Sequence, residues 1–321
     1  MNYFIFGGSG FIGTHLIDLI REKNPNTRIY NLDIDENNHG GKSIFIPCNV
    51  EKEIILDIPV SPEDIIFNLA AKLRTPGHPD HEYFETNIFG SENVCAFAEK
   101  HGIQKIVFTS SMSVYGASEE LKKETSLPAP YIPYGISKLI ADKIHQVWQA
   151  KNNNRHLIIV RPAVVFGKGE NGNFTRLYWG IRKRRFFYAG RKDTIKACIY
   201  VKDLVNFMLY RTEHYTDNVE LFNCAYEPAL TIEQIVETMK KVTGLKRHII
   251  KMNGSLLLFV ATIIQWLGGT QLGIHPARVK KLMISTNICG KKMAESGYKF
   301  RYTFEEAIRD WYKDNDDKCL E

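Results

Sequence analysis

Tyr134 and Lys138 stand four residues apart in the run Tyr134-Gly135-Ile136-Ser137-Lys138. That spacing predicts a helix with both side chains on one face. A free phenol has a pKa of about 10 and is a poor base at neutral pH. An ammonium beside it stabilises the phenolate and lowers that pKa. The pair therefore suits proton transfer at a carbinol, with Tyr134 moving the proton and Lys138 tuning it. A further hydroxyl is needed to hold the reacting oxygen. The run Thr109-Ser110-Ser111-Met112-Ser113-Val114-Tyr115-Gly116 offers several, at the end of a strand-like stretch.

A second group of residues suits a dinucleotide. Gly7-Gly8-Ser9-Gly10-Phe11-Ile12-Gly13 satisfies GxGxxG from Gly8 and GxxGxxG from Gly7. It follows an apolar run and opens a helical pattern. Such glycines allow a tight turn, close approach to a pyrophosphate and close helix–strand packing. The helix start then turns free N–H groups and a partial positive charge toward the phosphates. Asp33 lies 20 residues beyond Gly13, where an acid meets ribose hydroxyls. Its charge would repel a 2′-phosphate and no arginine directly follows, which predicts NAD rather than NADP. Lys138 is also placed to reach the nicotinamide ribose.

Elements must alternate to bring these groups together, and they do. Tyr3–Phe6, Arg28–Asp33, Ser43–Ile46, Asp64–Leu69, Lys105–Thr109 and His156–Val160 read as strands. Phe11–Ile20, Asn87–His101 and Tyr134–Gln149 read as helices. The pattern predicts an α/β fold, a Rossmann-type doubly wound parallel sheet, with a smaller C-terminal substrate lobe. We expect the dinucleotide domain over 1–165, a return to it near 197–224, and the lobe over 166–321. Arg182-Lys183-Arg184-Arg185 reads as a solvated helix end.

The bulk properties exclude several classes. A chain of 321 residues with 44% hydrophobic and 24% charged residues packs as a globular protein. The net charge of +6 comes with no compact basic and aromatic motif, so no nucleic-acid partner is expected. The six cysteines, at 48, 95, 198, 224, 289 and 319, form no CxxC pair. They point to no metal and to reduced thiols in the cytoplasm. The first residues carry no basic leader. The most apolar run, Leu256 to Leu267, is shorter than the roughly 20 residues a membrane span needs. We expect it to be a buried or lobe-covering helix.

The order of glycine turn, acid, serine cluster and YxxxK resembles the extended short-chain dehydrogenase/reductase family, whose members include NAD-dependent nucleotide-sugar epimerases and dehydratases. Asn68-Leu69-Ala70-Ala71 is similar to the family's HLAA segment beside the cofactor, with Asn in place of His. Asn49-Val50 resembles its Asp-Val pair at the adenine ring. Asn87, Arg161-Pro162-Ala163-Val164-Val165-Phe166-Gly167 and Tyr200-Val201-Lys202-Asp203 resemble further segments. The resemblance implies NAD held by Gly7, Gly10, Phe11, Ile12, Gly13, Asp33, Asn49, Val50, Leu69, Ala70, Ala71, Asn87, Tyr134 and Lys138. It implies Ser111, Tyr134 and Lys138 as the catalytic set. A nucleotide-sugar would meet Ser111, Met112, Tyr134, Asn173 and Lys196.

Dehydratases of this family carry Thr-Asp-Glu at the serine position, and this chain has Ser111-Met112-Ser113. The resemblance therefore implies 4-epimerisation of a nucleotide-sugar through a transient keto sugar, with NAD retained. A nucleotide-4-keto-sugar reductase, a hydroxysteroid-dehydrogenase-like enzyme and a dinucleotide-sensing binding protein are the alternatives. Val164 replaces the sugar-contacting asparagine of many epimerases, and Lys196 replaces an arginine, so it meets a pyrophosphate as a point charge. Relatives often form homodimers through helices equivalent to Asn87–His101 and Tyr134–Gln149.

Overall fold

The structure is a computed structural model that describes residues 1–37, 39–73, 77–266 and 283–321. Seven strands form its main sheet: β1 (Tyr3–Phe6), β2 (Ile29–Asp33), β3 (Ile44–Pro47), β4 (Ile65–Asn68), β5 (Lys105–Thr109), β6 (His156–Pro162) and β7 (Val219–Cys224). Their order is β7-β6-β5-β4-β1-β2-β3, and every pairing is parallel. The order reverses between β1 and β4. In open sheets of this kind the ligand crevice lies there, outside the carboxyl ends of the strands.

Four helices cover the sheet: α1 (Phe11–Lys23), α2 (Gly90–Lys100), α3 (Pro133–Ala150) and α4 (Val201–Glu213). Successive strand residues point to opposite faces, and here both faces are buried. Tyr3 and Ile5 pack into one apolar cluster with Leu16, Ile17 and Ile20 of α1 and Leu204, Val205 and Met208 of α4. Phe4 and Phe6 pack into the other with Val94, Phe97 and Ala98 of α2 and Ala141 and Trp148 of α3. This is why the strands read as apolar runs rather than as alternating ones.

The helical pattern expected over Asn87–His101 divides in two. A wide π-type turn, Glu85–Phe89, leads into α2 and carries Asn87. Two strands lie in the stretch 197–224. Cys198–Tyr200 pairs with Val164–Phe166 in a separate two-stranded ladder, and only β7 joins the main sheet, at its edge. Arg182 to Arg185 lie exposed at the end of the helix Asn173–Arg182. The apolar run forms the helix Gly254–Trp266, with Leu267 outside the described residues. Of the two expected settings, buried or lobe-covering, the exposure of Leu256 and Phe259 speaks against the first.

One buried polar pair joins β4 to α3. His145 of α3 stacks on Phe108 and is completely buried. Its Nδ1 donates to the Ala141 carbonyl at 2.8 Å, and its Nε2 accepts from Asn68 Nδ2 at 3.2 Å. This pattern needs the neutral ring. Burial pushes the His145 pKa down to about 3. Unfolded, the ring titrates near its ordinary value of about 6.5. The unfolded chain therefore binds the extra proton between these values, and stability falls as pH falls through that window. The limiting slope is about 1.4 kcal/mol per pH unit. Urea midpoints measured between pH 7 and pH 5 should fall less steeply in His145→Gln, which keeps an acceptor for Asn68. Identical slopes in the two proteins would dismiss this role for His145.

Candidate active site

The glycine turn sits at the carboxyl end of β1, as its sequence suggests. Gly7 has φ of +79°, and a Cβ there would lie 2.7 Å from the Ala70 amide nitrogen. The turn thus needs glycine both for its backbone and for the approach of the segment after β4. Gly10 caps α1 with no side-chain hydrogen bond, leaving the first-turn N–H groups of Phe11, Ile12 and Gly13 facing outward from the helix end. Asp33 ends β2, and its carboxylate accepts the Ser9 amide at 2.9 Å and the Asp35 amide at 3.1 Å. A cradle that a Cβ would fill, an uncapped helix start and a carboxylate across the turn suit a dinucleotide.

The serine, tyrosine and lysine converge at the end of β5. Ser111 caps a short 3₁₀ turn, Met112–Tyr115, by accepting the Ser113 amide at 3.1 Å. Helix α3 begins against that turn, since a Cβ on Gly135 would lie 2.5 Å from the Ser113 carbonyl oxygen. The approach brings the Tyr134 phenol to the Ser111 hydroxyl. One turn along, Lys138 is buried and donates from Nζ to the Thr109 carbonyl at 2.7 Å. Its amine also lies 4.7 Å from the centre of the Phe108 ring.

The electrostatics differ from the sequence expectation. Burial raises the Tyr134 pKa above its ordinary value, and the Ser111 hydroxyl opposes that shift. The lysine was expected to lower it, but the Lys138 amine is engaged by the Thr109 carbonyl instead. Burial pushes Lys138 itself down to about 8, against the pull of Asp142. At neutral pH the resting pair is thus a phenol and a mostly protonated amine.

The remaining expected residues divide between the crevice and its supports. Leu69, Ala70 and Ala71 leave β4 half-buried beside Gly7. Asn87 is buried and acts as a clamp. Its amide accepts the Lys72 N–H at 3.0 Å, donates to the Lys72 carbonyl at 3.2 Å, and donates to Ser137 Oγ at 2.9 Å. It thereby ties the segment after β4 to α3, within one turn of both Tyr134 and Lys138. Val50 is buried under Gly90, while Asn49 is exposed and accepts the Glu51 amide at 3.0 Å. Met112 packs with Val114 and Ala197 on the lobe side. Lys196 donates to the Ile284 carbonyl at 2.7 Å. Asn173 opens the helix Asn173–Arg182, exposed, and accepts from Arg176 at 3.3 Å.

Sequence reasoning missed the buried network beneath this site. Asp142, four residues after Lys138 on α3, pairs with Arg161 of β6 at 2.7 Å and 3.1 Å. Arg161 also donates to the Tyr115 hydroxyl at 2.7 Å, which donates to Asn223 of β7 at 2.9 Å. The i+4 spacing of Lys138 and Asp142 was the available signal.

The model of the NAD dependent epimerase/dehydratase family matches residues 3–225. An enzyme of Escherichia coli O157:H7, N-acetyl-alpha-D-glucosaminyl-diphospho-ditrans,octacis-undecaprenol 4-epimerase, is 30% identical over 312 residues, 96% of this chain and 93% of its own. A UDP-glucose 4-epimerase of Halalkalibacterium halodurans is 23% identical over 273 residues, covering 76% of this chain and 81% of its own. The solved UDP-glucuronic acid 4-epimerase from Bacillus cereus, in complex with NAD, shares the fold with a TM-score of 0.72 at 19% identity, over 98% of this chain and 99% of that one. The glycine cradle, the tyrosine–lysine pair and these likenesses agree, and the chain belongs to the NAD dependent epimerase/dehydratase family.

Proposed function

We propose that this NAD-dependent epimerase inverts the C4 carbinol of a sugar carried on a diphosphate, through a transient 4-keto sugar. One observation carries the reading: Ser111, Tyr134 and Lys138 meet at the end of β5, and only β4 separates that strand from the glycine turn of β1. As the phenolate, Tyr134 Oη takes the proton of the C4 hydroxyl and becomes a phenol, and Ser111 Oγ holds the same oxygen. Lys138 keeps a positive charge beneath them. The Gly7–Gly13 turn and Asp33 would hold NAD, which would supply hydride transfer at that carbon. Once the ketone has turned its other face, Tyr134 returns the proton. Met112 and Ser113 stand where an elimination would need carboxylates, which favours chemistry at one carbinol. Met112, Asn173 and Lys196 are the residues proposed to meet the substrate, with Lys196 on its diphosphate. The Escherichia coli relative acts on a diphospho-linked N-acetylglucosaminyl lipid, and both kinds of relative share the sugar diphosphate.

We read 1–165 with the return near 197–224 as the cofactor half, and 166–321 mainly as the substrate lobe. A homodimer through α2 and α3 is part of the reading, since Phe89, just before α2, and Ile140 and Val147 of α3 are apolar and exposed. Six free cysteines favour a reducing, cytoplasmic setting, and no helix among the described residues is long and apolar enough to cross a membrane.

Three measurements follow from this reading. Tyr134→Phe should lower kcat by about 10²–10⁴-fold while NAD still binds, as read by conversion of UDP-N-acetylglucosamine and by titration calorimetry. Near-normal turnover would remove Tyr134 from the mechanism. The wild-type protein should bind NADH at least about tenfold more tightly than NADPH, and Asp33→Ser should narrow that gap. Equal dissociation constants in the wild type would end the role of Asp33 as discriminator. Light scattering should give a dimer that Val147→Asp converts to monomer without loss of helical circular dichroism. A monomeric wild type would rule the dimer out.

A further inference from the structure

The helix Gly254–Trp266 begins close to the lysine assigned to the diphosphate. Asn253 fixes its first turn, accepting the Ser255 amide at 2.9 Å and the Leu256 amide at 3.2 Å. Gly254 rests against Gly190 and the Met283 side chain. The residue after Met283, Ile284, gives its carbonyl to Lys196 Nζ at 2.7 Å. Ala197, next to Lys196, shares an apolar cluster with Val114, against which Met112 packs. A contiguous set of contacts therefore runs from the serine turn, past Lys196, to the start of this helix.

From that start the helix turns apolar groups outward. Leu256 and Phe259 are 55% and 64% exposed, three residues apart on one face. No residue from Gly254 to Trp266 is charged. Thr262 spends its hydroxyl on the Leu258 carbonyl at 2.8 Å. The helix's 13 described residues are fewer than a bilayer span needs. Exposed apolar side chains grouped on a lobe that holds substrate mark a place where apolar ligand surface is covered. A base and ribose would find few polar partners on this face, whereas a hydrocarbon needs none.

We propose that this helix face receives the polyprenyl tail of a diphosphate-linked sugar, with Lys196 on the diphosphate and Leu256 and Phe259 against the first isoprene units beyond it. The inference rests on the 4-epimerase reading above and narrows its substrate class from sugar diphosphates in general to lipid-linked ones. The Escherichia coli likeness extends over 96% of the chain and so takes in most of the lobe that bears the helix.

The test compares two probes that share a sugar diphosphate: farnesyl-diphospho-N-acetylglucosamine, without detergent and below its micelle concentration, and UDP-N-acetylglucosamine. The wild type should favour the farnesyl compound in kcat/KM by at least about tenfold. The double substitution Leu256→Ser and Phe259→Ser should lower that specificity ratio by about tenfold, since lost contact with two apolar side chains readily reaches that size. Restoring Phe259 alone should recover part of the ratio. Turnover of the UDP-sugar alone, or a ratio that the double variant leaves where it was, would overturn the tail site while leaving the epimerase reading intact. Turnover of neither compound would overturn both.

Discussion

Lys138 keeps its amine inside the protein, and the geometry of the crevice follows from what that requires. Burial of an ammonium is costly unless its protons are met. Thr109 provides a carbonyl at 2.7 Å and Phe108 a ring face at 4.7 Å, so both come from the last turns of β5. Asp142 adds a negative charge one helical turn away, which pulls the amine back toward protonation. The position of Tyr134 is then fixed, because it sits on the preceding turn of the same helix. The serine turn is fixed as well, because it follows Thr109 directly in the chain.

Asp142 cannot serve Lys138 unless its own charge is met. It is completely buried, and burial raises its pKa against the opposing effect of Arg161. Arg161 comes from β6 and meets Tyr115 of the serine turn, and Tyr115 meets Asn223 of β7. Edge strand, neighbouring strand, serine turn and catalytic helix are therefore joined by one polar chain under the site. Removing a single partner from such a pair leaves a buried charge exposed to the low dielectric, a loss of about 3–5 kcal/mol. Asn87 performs a comparable task on the other side of α3, where it holds Lys72 and Ser137 together. The catalytic helix is thus held from both flanks by groups that take no part in the proposed chemistry.

The sheet was legible in the sequence because its strands are short, doubly buried and separated by strong turn signals. The segments proposed to form the site could be picked out because each lies in a contiguous run: Gly7 to Gly13, Thr109 to Ser113 and Tyr134 to Lys138. Groups defined only by contact were not. Asn68 stands where the resembled segment has histidine, and its partner is His145 of α3, 77 residues away. The Asp142–Arg161 pair spans two elements in the same way. The face of Gly254–Trp266 was illegible for a different reason. A helix that is apolar all round has no polar side to show which face is covered. Exposure of Leu256 and Phe259 is decided by what the lobe leaves beside them, not by their own pattern.

The pKa directions at the site also bear on why an epimerase can use a phenol held in its protonated form. Burial raises the Tyr134 pKa, so the phenolate that accepts the carbinol proton is costly to form, but once formed it is the stronger base. A dehydrogenase that stops at the ketone leaves a neutral phenol and must form the phenolate anew in every turnover. In the proposed epimerisation the second half reverses the first: Tyr134 keeps the proton it took, gives it back to the same oxygen and is a phenolate again. What the site must minimise is the height of the ketone state, and that depends on how well Ser111 and Tyr134 hold one oxygen while the ring turns. A rigid serine turn, pinned through Tyr115 and Arg161 to two strands, serves that need more directly than a strongly acidified phenol would.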